Sequence, residues 1–260
     1  MFMQETLLLH ARSTYPRRPG EVRAPPSPRQ NHLIAGLPRE YDRLVAELRP
    51  VHLSAGSILH GAGNPEAFLY FPTSAIVSRG YVTREGTSTE FAVTGNEGFI
   101  GVASLLGTGT TLTQAVVVSP GFAYRMRSEQ LRDELRRGGP LARLLLRYTQ
   151  ALIAQAGQAA VCNRHHSLDQ RLCRWILSML DRLSSNELAV TQELIASVLG
   201  VRRESITIAA GRLQEEGAIH CGRGQIAVLD RPRLAAHACE CYAAVQREFD
   251  RLLPPQHAVA

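Results

Sequence analysis

The sequence predicts an α+β chain: an N-terminal antiparallel β-roll of jelly-roll type, one long helix, and a C-terminal winged helix-turn-helix. Three observations carry this. Short strand-like runs separated by glycine turns fill residues 50 to 126. A single apolar seam at helical spacing runs from Pro140 to about His165. The last third sets two short helices around Gly200 and follows them with a tight hairpin.

The 260 residues suffice for one large or two modest domains with a real core. A hydrophobic content of 45% with 20% charged residues is that of a globular chain. No apolar run approaches the length of a membrane span, and Ala115–Val118 is strand-sized. Fibrous, wholly disordered and membrane-spanning classes are therefore excluded. The net charge is +6, and every one of the 29 basic residues is arginine. Arginine pairs bidentately with phosphate and guanine, although arginine-only usage also follows from GC-rich coding. The charge thus permits a nucleic-acid partner without establishing one. Five cysteines, none before Cys162, do not make a disulfide framework, and no secretory signal is recognisable. Free thiols in a reducing cytoplasm are expected.

Residues 1–30 alternate Pro16, Pro19, Pro25, Pro26 and Pro28 with arginines and are expected to be a disordered basic tail. A sensor domain is expected over 31–139. It opens with two short helices between Asn31 and Leu48, the second started by Pro38. Strands follow at Val51–Leu53, Ile58–Leu59, Phe68–Phe71, Ala75–Val82, Glu90–Val93, Gln114–Val118 and Phe122–Arg125, and then a short helix at Leu131–Arg137. The long helix occupies 140–166. Its seam of Leu141, Leu145, Tyr148, Leu152, Ala156 and Ala159 demands a partner surface, and a second copy of the helix is expected to supply it, making a homodimer. Packing on its own barrel is the alternative. Residues 167–251 hold helices at Leu168–Leu183, Thr191–Leu199 and Arg202–Glu216, a hairpin through Gly222-Arg223-Gly224, and a last helix capped by Asp230.

Within Thr191–Leu213, Ala196 is small where two helices cross, Gly200 permits a left-handed turn, and Val201, Ile206 and Leu213 can pack inward. Arg202, Arg203, Glu204, Ser205 and Thr207 cluster at the start of the second helix, the end that enters a major groove. With Thr191, Gln192, Arg212 and the hairpin-tip Arg223 they form the expected DNA-binding set. From Leu168 to Arg251 eleven arginines face eleven acidic residues, so only local placement can attract DNA.

The order β-roll, long helix, winged helix-turn-helix resembles the Crp/Fnr superfamily of bacterial transcription regulators over roughly Asn31 to Tyr242. The match is most specific from Thr191 to Leu229, and in the barrel rests on Phe99-Ile100-Gly101. The resemblance implies a homodimer reading a palindromic double-stranded operator, with RNA polymerase as a further partner. It implies that Arg203 reads guanine and Glu204 accepts from cytosine. The second family arginine is replaced by Ile208, and the N-cap serine by Arg202. The resemblance also argues against cyclic AMP. Family members that bind it follow Phe-Ile-Gly with a glutamate for the ribose and, about ten residues on, an arginine for the phosphate. Here Val102 takes the glutamate position, and no arginine occurs from Glu85 to Tyr124.

No cofactor, metal or enzymatic activity is expected. There is no N-terminal cysteine cluster for iron–sulfur, and His52 and His60 are expected at the surface or hydrogen-bonded rather than on haem. Read on one helix, Cys239 and Cys241 point opposite ways; His237 and Cys241 share a face but fall short of four zinc ligands, so buried structural cysteines are expected. Two other functions stay open: an interaction module with a vestigial helix-turn-helix, and a cupin-like barrel enzyme, for which His52, His60 and Glu90 lack close pairing.

Overall fold

The computed structural model describes residues 24–37 and 39–254, so most of the expected tail and Pro38 lie outside the described residues. The end of that tail is not loose. Pro28–Gln30 forms a 3-10 turn, the Tyr124 hydroxyl donates to the Pro26 carbonyl at 2.9 Å, and the Arg29 guanidinium sits 3.8 Å from the Tyr41 ring centre. A cation over an aromatic face and one buried hydroxyl are enough to lay this segment on the barrel.

Helices α1 (His32–Ala35) and α2 (Tyr41–Glu47) precede a seven-stranded roll. Its strands are β1 (Arg49–Leu53), β2 (Ile58–His60), β3 (Phe68–Pro72), β4 (Ile76–Val82), β5 (Ser88–Thr94), β6 (Gln114–Ser119) and β7 (Gly121–Arg127), with α3 (Val102–Leu105) between β5 and β6. They pair antiparallel in two sheets, ordered β1-β7-β3 and β2-β6-β4-β5. Leu53, Val77, Ile100, Val117 and Ala123 fill the space between the sheets. The side chain of Asn31 joins α1 to the roll: its amide donates to the carbonyls of Pro72 and Gly98, and its oxygen caps Ile34 N.

Helix α4 (Ser128–Arg136) begins three residues earlier than expected, and α5 (Pro140–His165) has the expected bounds. The reader unit follows: α6 (Leu168–Leu180), β8 (Glu187–Leu188), α7 (Gln192–Leu199), α8 (Arg203–Glu215), β9 (Ile219–Gly222), β10 (Gln225–Val228), α9 (Arg231–His237) and α10 (Cys241–Leu252). Ser167 and Gln170 close a capping box on α6, which ends three residues short of the expected Leu183. Two features are absent from the sequence reading. Strand β8 adds a third strand to the hairpin. The last helix is two helices, because Ala238 is extended, at φ −73° and ψ 150°, and turns the chain before Cys241.

The apolar seam of α5 is used inside the chain. Leu141, Leu145 and Tyr148 join a core with Leu33, Phe71, Phe99, Phe249 and Leu252; Leu152 and Ala159 are buried as well, and Ala156 is half-buried. Within the single chain the expected dimer surface is thus covered, fully at all but Ala156. Gly98 allows the close approach: a Cβ there would lie 2.2 Å from the Tyr148 ring, whose hydroxyl hydrogen-bonds Thr94 at 2.8 Å. The face of α5 left open carries Leu146, Ile153 and Val161, exposed at 52%, 67% and 48%, with Gly157 and Ala160 exposed between them.

Candidate nucleic-acid interface and sensor region

Helix α7 starts with a Thr191 N-cap, whose hydroxyl accepts from Leu194 N at 3.2 Å, and ends at Gly200, φ +65°. That left-handed residue turns the chain into α8 within two residues, which a β-carbon would disfavour. Ile195, Ala196, Ile206, Ala209, Ala210 and Leu213 meet in the reader core with Trp175 and Ile176 of α6. Once these are buried, the opposite face of α8 is fixed outward. Arg203, Glu204, Thr207, Ile208 and Arg212 are exposed and Ser205 is half-buried. The Thr207 hydroxyl donates to Gln192 Oε1 at 2.7 Å, linking the two helices at their N-terminal ends.

Arg202 occupies the N-cap of α8 without a side-chain cap, and Ser205 N donates to its carbonyl at 3.1 Å. Arg203 has one acidic neighbour, Glu193, at 3.9 Å. Arg212 differs from the rest of the expected set, because its guanidinium is paired with Asp169 of α6 and braces the reader. Arg223 is exposed at the tip of the β9–β10 hairpin, where Gly224 takes φ +71°. Thus Arg202, Arg203, Glu204, Thr207, Ile208 and, across the turn, Gln192 form one outward surface, with Arg223 on the wing.

In the roll, the first turn of α3 directly follows Phe99-Ile100-Gly101. Its Ser104 N–H donates to Glu66 Oε2 at 3.0 Å, and the hydroxyls of Ser104 and Ser128 both donate to the Glu66 carbonyl. The Ser104 N–H of this first turn is thereby taken by the chain's own carboxylate. Arg79 of β4 was missed in the sequence because it follows Ile76-Val77-Ser78 in an ordinary strand. It is buried, donates from Nη2 to the Phe99 carbonyl at 2.6 Å, and leaves Nε without a partner. His60 lies 3.6 Å from Glu66. Burial first, then the Arg79 charge, pushes its pKa down to about 4, so it is neutral. His52 is exposed, with its ring edge-on to Phe122.

The reader docks on the roll through a polar knot. Glu90 of β5 accepts from Ser78 Oγ at 2.5 Å and from Trp175 Nε1 at 3.1 Å. Beside it, Arg182 and Glu97 form a buried ion pair at 2.7 Å. Burial raises the Glu90 pKa to about 7, against the smaller lowering effects of Ser78, Arg174, Trp175 and Arg182. The folded state therefore holds a proton that the unfolded chain releases at about 4.5. Stability from this group is full below that value and declines as pH rises through about 7. Glu90→Gln should abolish this decline: the stability of the variant relative to wild type should rise by about 1–2 kcal/mol between pH 5 and 7.5. Urea midpoints at the two pH values measure it.

Against known proteins, residues 170–237 match the model of the Crp-like helix-turn-helix domain, and residues 50–137 that of the cyclic nucleotide-binding domain. A CRP-like cAMP-activated global transcriptional regulator of Mycobacterium tuberculosis is 22% identical over 202 residues, covering 75% of this chain and 90% of that protein. Among solved structures, FixK2 of Bradyrhizobium japonicum superposes with a TM-score of 0.65 at 17% identity, over 74% of this chain and 98% of its own. The regulator TTHA1359 of Thermus thermophilus gives 0.57 at 22%, over 73% and 98%. Among the described residues, no helix is long and apolar enough to cross a membrane.

Proposed function

Because the chain belongs to the Crp/Fnr family of transcriptional regulators, we propose that it acts as a homodimer on a palindromic operator, one α8 per half-site, and that its roll does not take cyclic AMP. The observation that carries the DNA reading is the outward row on α8: two arginines, a carboxylate, a hydroxyl and an exposed isoleucine over an uncapped helix start. Arginine suits guanine, glutamate suits the cytosine amino group, and Ile208 suits a thymine methyl. The positive end of the α8 dipole suits a phosphate. RNA polymerase contact by the bound dimer is a proposal resting on family membership. Selection from random duplexes followed by footprinting tests the reading. Half-sites about one turn, roughly 10 bp, apart are expected; recovery of unrelated sequences would overturn it.

The dimer surface is assigned to the open face of α5. Leu146, Ile153 and Ala160 recur every seven residues, the repeat of paired helices.

For the sensor, a cyclic phosphate at the start of α3 would meet the Glu66 carboxylate, and Arg79 already has that carboxylate nearby to balance its charge. Calorimetry should show no cyclic AMP binding at micromolar concentrations. Micromolar binding would sink this part of the reading and leave the DNA part standing.

A further inference from the structure

Where α5 ends and the reader begins, three cysteines and a histidine from two distant places in the chain converge. Cys162 and His166 lie one helical turn apart at the end of α5, Cys239 lies in the break between α9 and α10, and Cys241 begins α10. Their four ligand atoms all lie within 4.8 Å of one another. The three cysteines are buried, and His166 keeps 12% of its side chain exposed. We propose that this cluster is a structural zinc site of the Cys3His type, clamping the end of the long helix to the α9–α10 corner.

Four features support the assignment. The first is spacing. A tetrahedral zinc with three sulfurs and one nitrogen has ligand–ligand edges of about 3.6–3.8 Å, from the usual bond lengths. Cys162 Sγ is 3.5 Å from Cys239 Sγ, and Cys241 Sγ is 3.4 Å from His166 Nδ1. The second is the surrounding hydrogen bonding. His166 presents Nδ1 to the cluster while Nε2 lies 3.2 Å from the Glu240 carboxylate, the arrangement that fixes a metal-binding tautomer. Gln158 Nε2 donates to Cys241 Sγ at 3.0 Å, as amides do to coordinated thiolates. The third is charge. Zinc with three thiolates carries one net negative charge, and the positive charge of Arg174 acts on Cys162. The fourth is what the sulfurs do not do. They form a cluster of their own, apart from the three larger hydrophobic cores, so filling an apolar core does not explain them.

A thiol–disulfide switch is the competing use. Reactive switch thiols are usually exposed, whereas Cys162, Cys239 and Cys241 are buried. Zinc binding would displace their three protons to solvent, with no change of oxidation state.

The experiment uses the full chain, purified under reducing conditions. Elemental analysis should find about one zinc per chain. Cobalt added to zinc-stripped protein should give the intense thiolate charge-transfer band and tetrahedral visible bands, and zinc should bleach them. Cys239→Ser should lose both signals, while Cys221→Ser, on β9 outside the cluster, should keep them. Glu240→Gln should keep the ligands and weaken zinc affinity roughly 10–100-fold. Circular dichroism checks that Cys239→Ser is folded; if it is not, the cobalt spectrum of the wild type and the Glu240→Gln affinity still decide. A folded wild type that holds no zinc and gives no thiolate–cobalt band overturns the proposal. A Cys162–Cys239 disulfide in metal-free protein overturns it in favour of the switch.

Discussion

Leu152→Glu should unfold the protein, and Ile153→Glu should leave it folded but monomeric. The two positions are neighbours on α5, about 100° apart around its axis, one buried and one exposed. Leu152 is 7% exposed, so a glutamate there would be buried and largely desolvated. That should cost about 3 kcal/mol or more, a large part of a domain's stability. Ile153 is 67% exposed, so the chain alone tolerates a charge at that position. In a dimer made through the open face, two such charges would meet across the seam, displacing apolar area and repelling each other. Thermal melts by circular dichroism and sizing by light scattering separate the outcomes. A folded, monomeric Leu152→Glu beside a dimeric Ile153→Glu would return the dimer seam to the Leu141–Tyr148–Leu152 face.

Arg203→Ala should weaken operator binding by about 1–3 kcal/mol, roughly 10- to 100-fold, and relax preference at one base pair per half-site. Its exposed guanidinium has only a 3.9 Å neighbour to give up, so little reader stability is at stake. Arg223→Ala should behave differently. A wing-tip arginine on phosphate carries no sequence information, so selected and scrambled duplexes should weaken alike and the salt slope should fall by roughly one per subunit. Arg212→Ala forms a third class: it removes the Asp169 ion pair, so its effect should appear first in reader stability. Titrations of all three on both duplexes at several salt concentrations distinguish base reading, phosphate contact and bracing. If neither Arg203→Ala nor Arg223→Ala changes affinity, the reading surface lies elsewhere.

What could be read from residues alone follows a physical line. The strands of the roll and the turn at Gly200 depend on alternation, glycine and short-range packing, all written within a dozen neighbouring positions. Their bounds in the structure differ from expectation by a few residues. The spent face of α5 was not legible because the helix has two apolar faces. Leu145 and Tyr148 on one, and Leu146 and Ile153 on the other, differ only in what the fold brings to them. Phe99 and Phe249 arrive from distant segments to cover the first. Arg79 looks like any strand residue until the segment carrying Phe99 comes to lie beside it. The cysteine cluster was hidden for a different reason. A helix assumed to run unbroken past His237 sends Cys239 and Cys241 apart; the extended Ala238 brings them together, and His237 goes instead to Glu216 at 2.7 Å.

Helix α10 returns to lie along α5 and buries Phe249 and Leu252 in the core shared with the roll. The reader is therefore not a pendant on one tether. Its chain leaves α5 at Ser167 and comes back to α5 through α10, so both of its ends are moored to the same rod. A body moored at two nearby points keeps little freedom beyond rotation about the line joining them. Were the Trp175–Glu90 and Arg182–Glu97 contacts with the roll released, the movement left to the α8 surface would be close to a single angle, set at the end of the long helix.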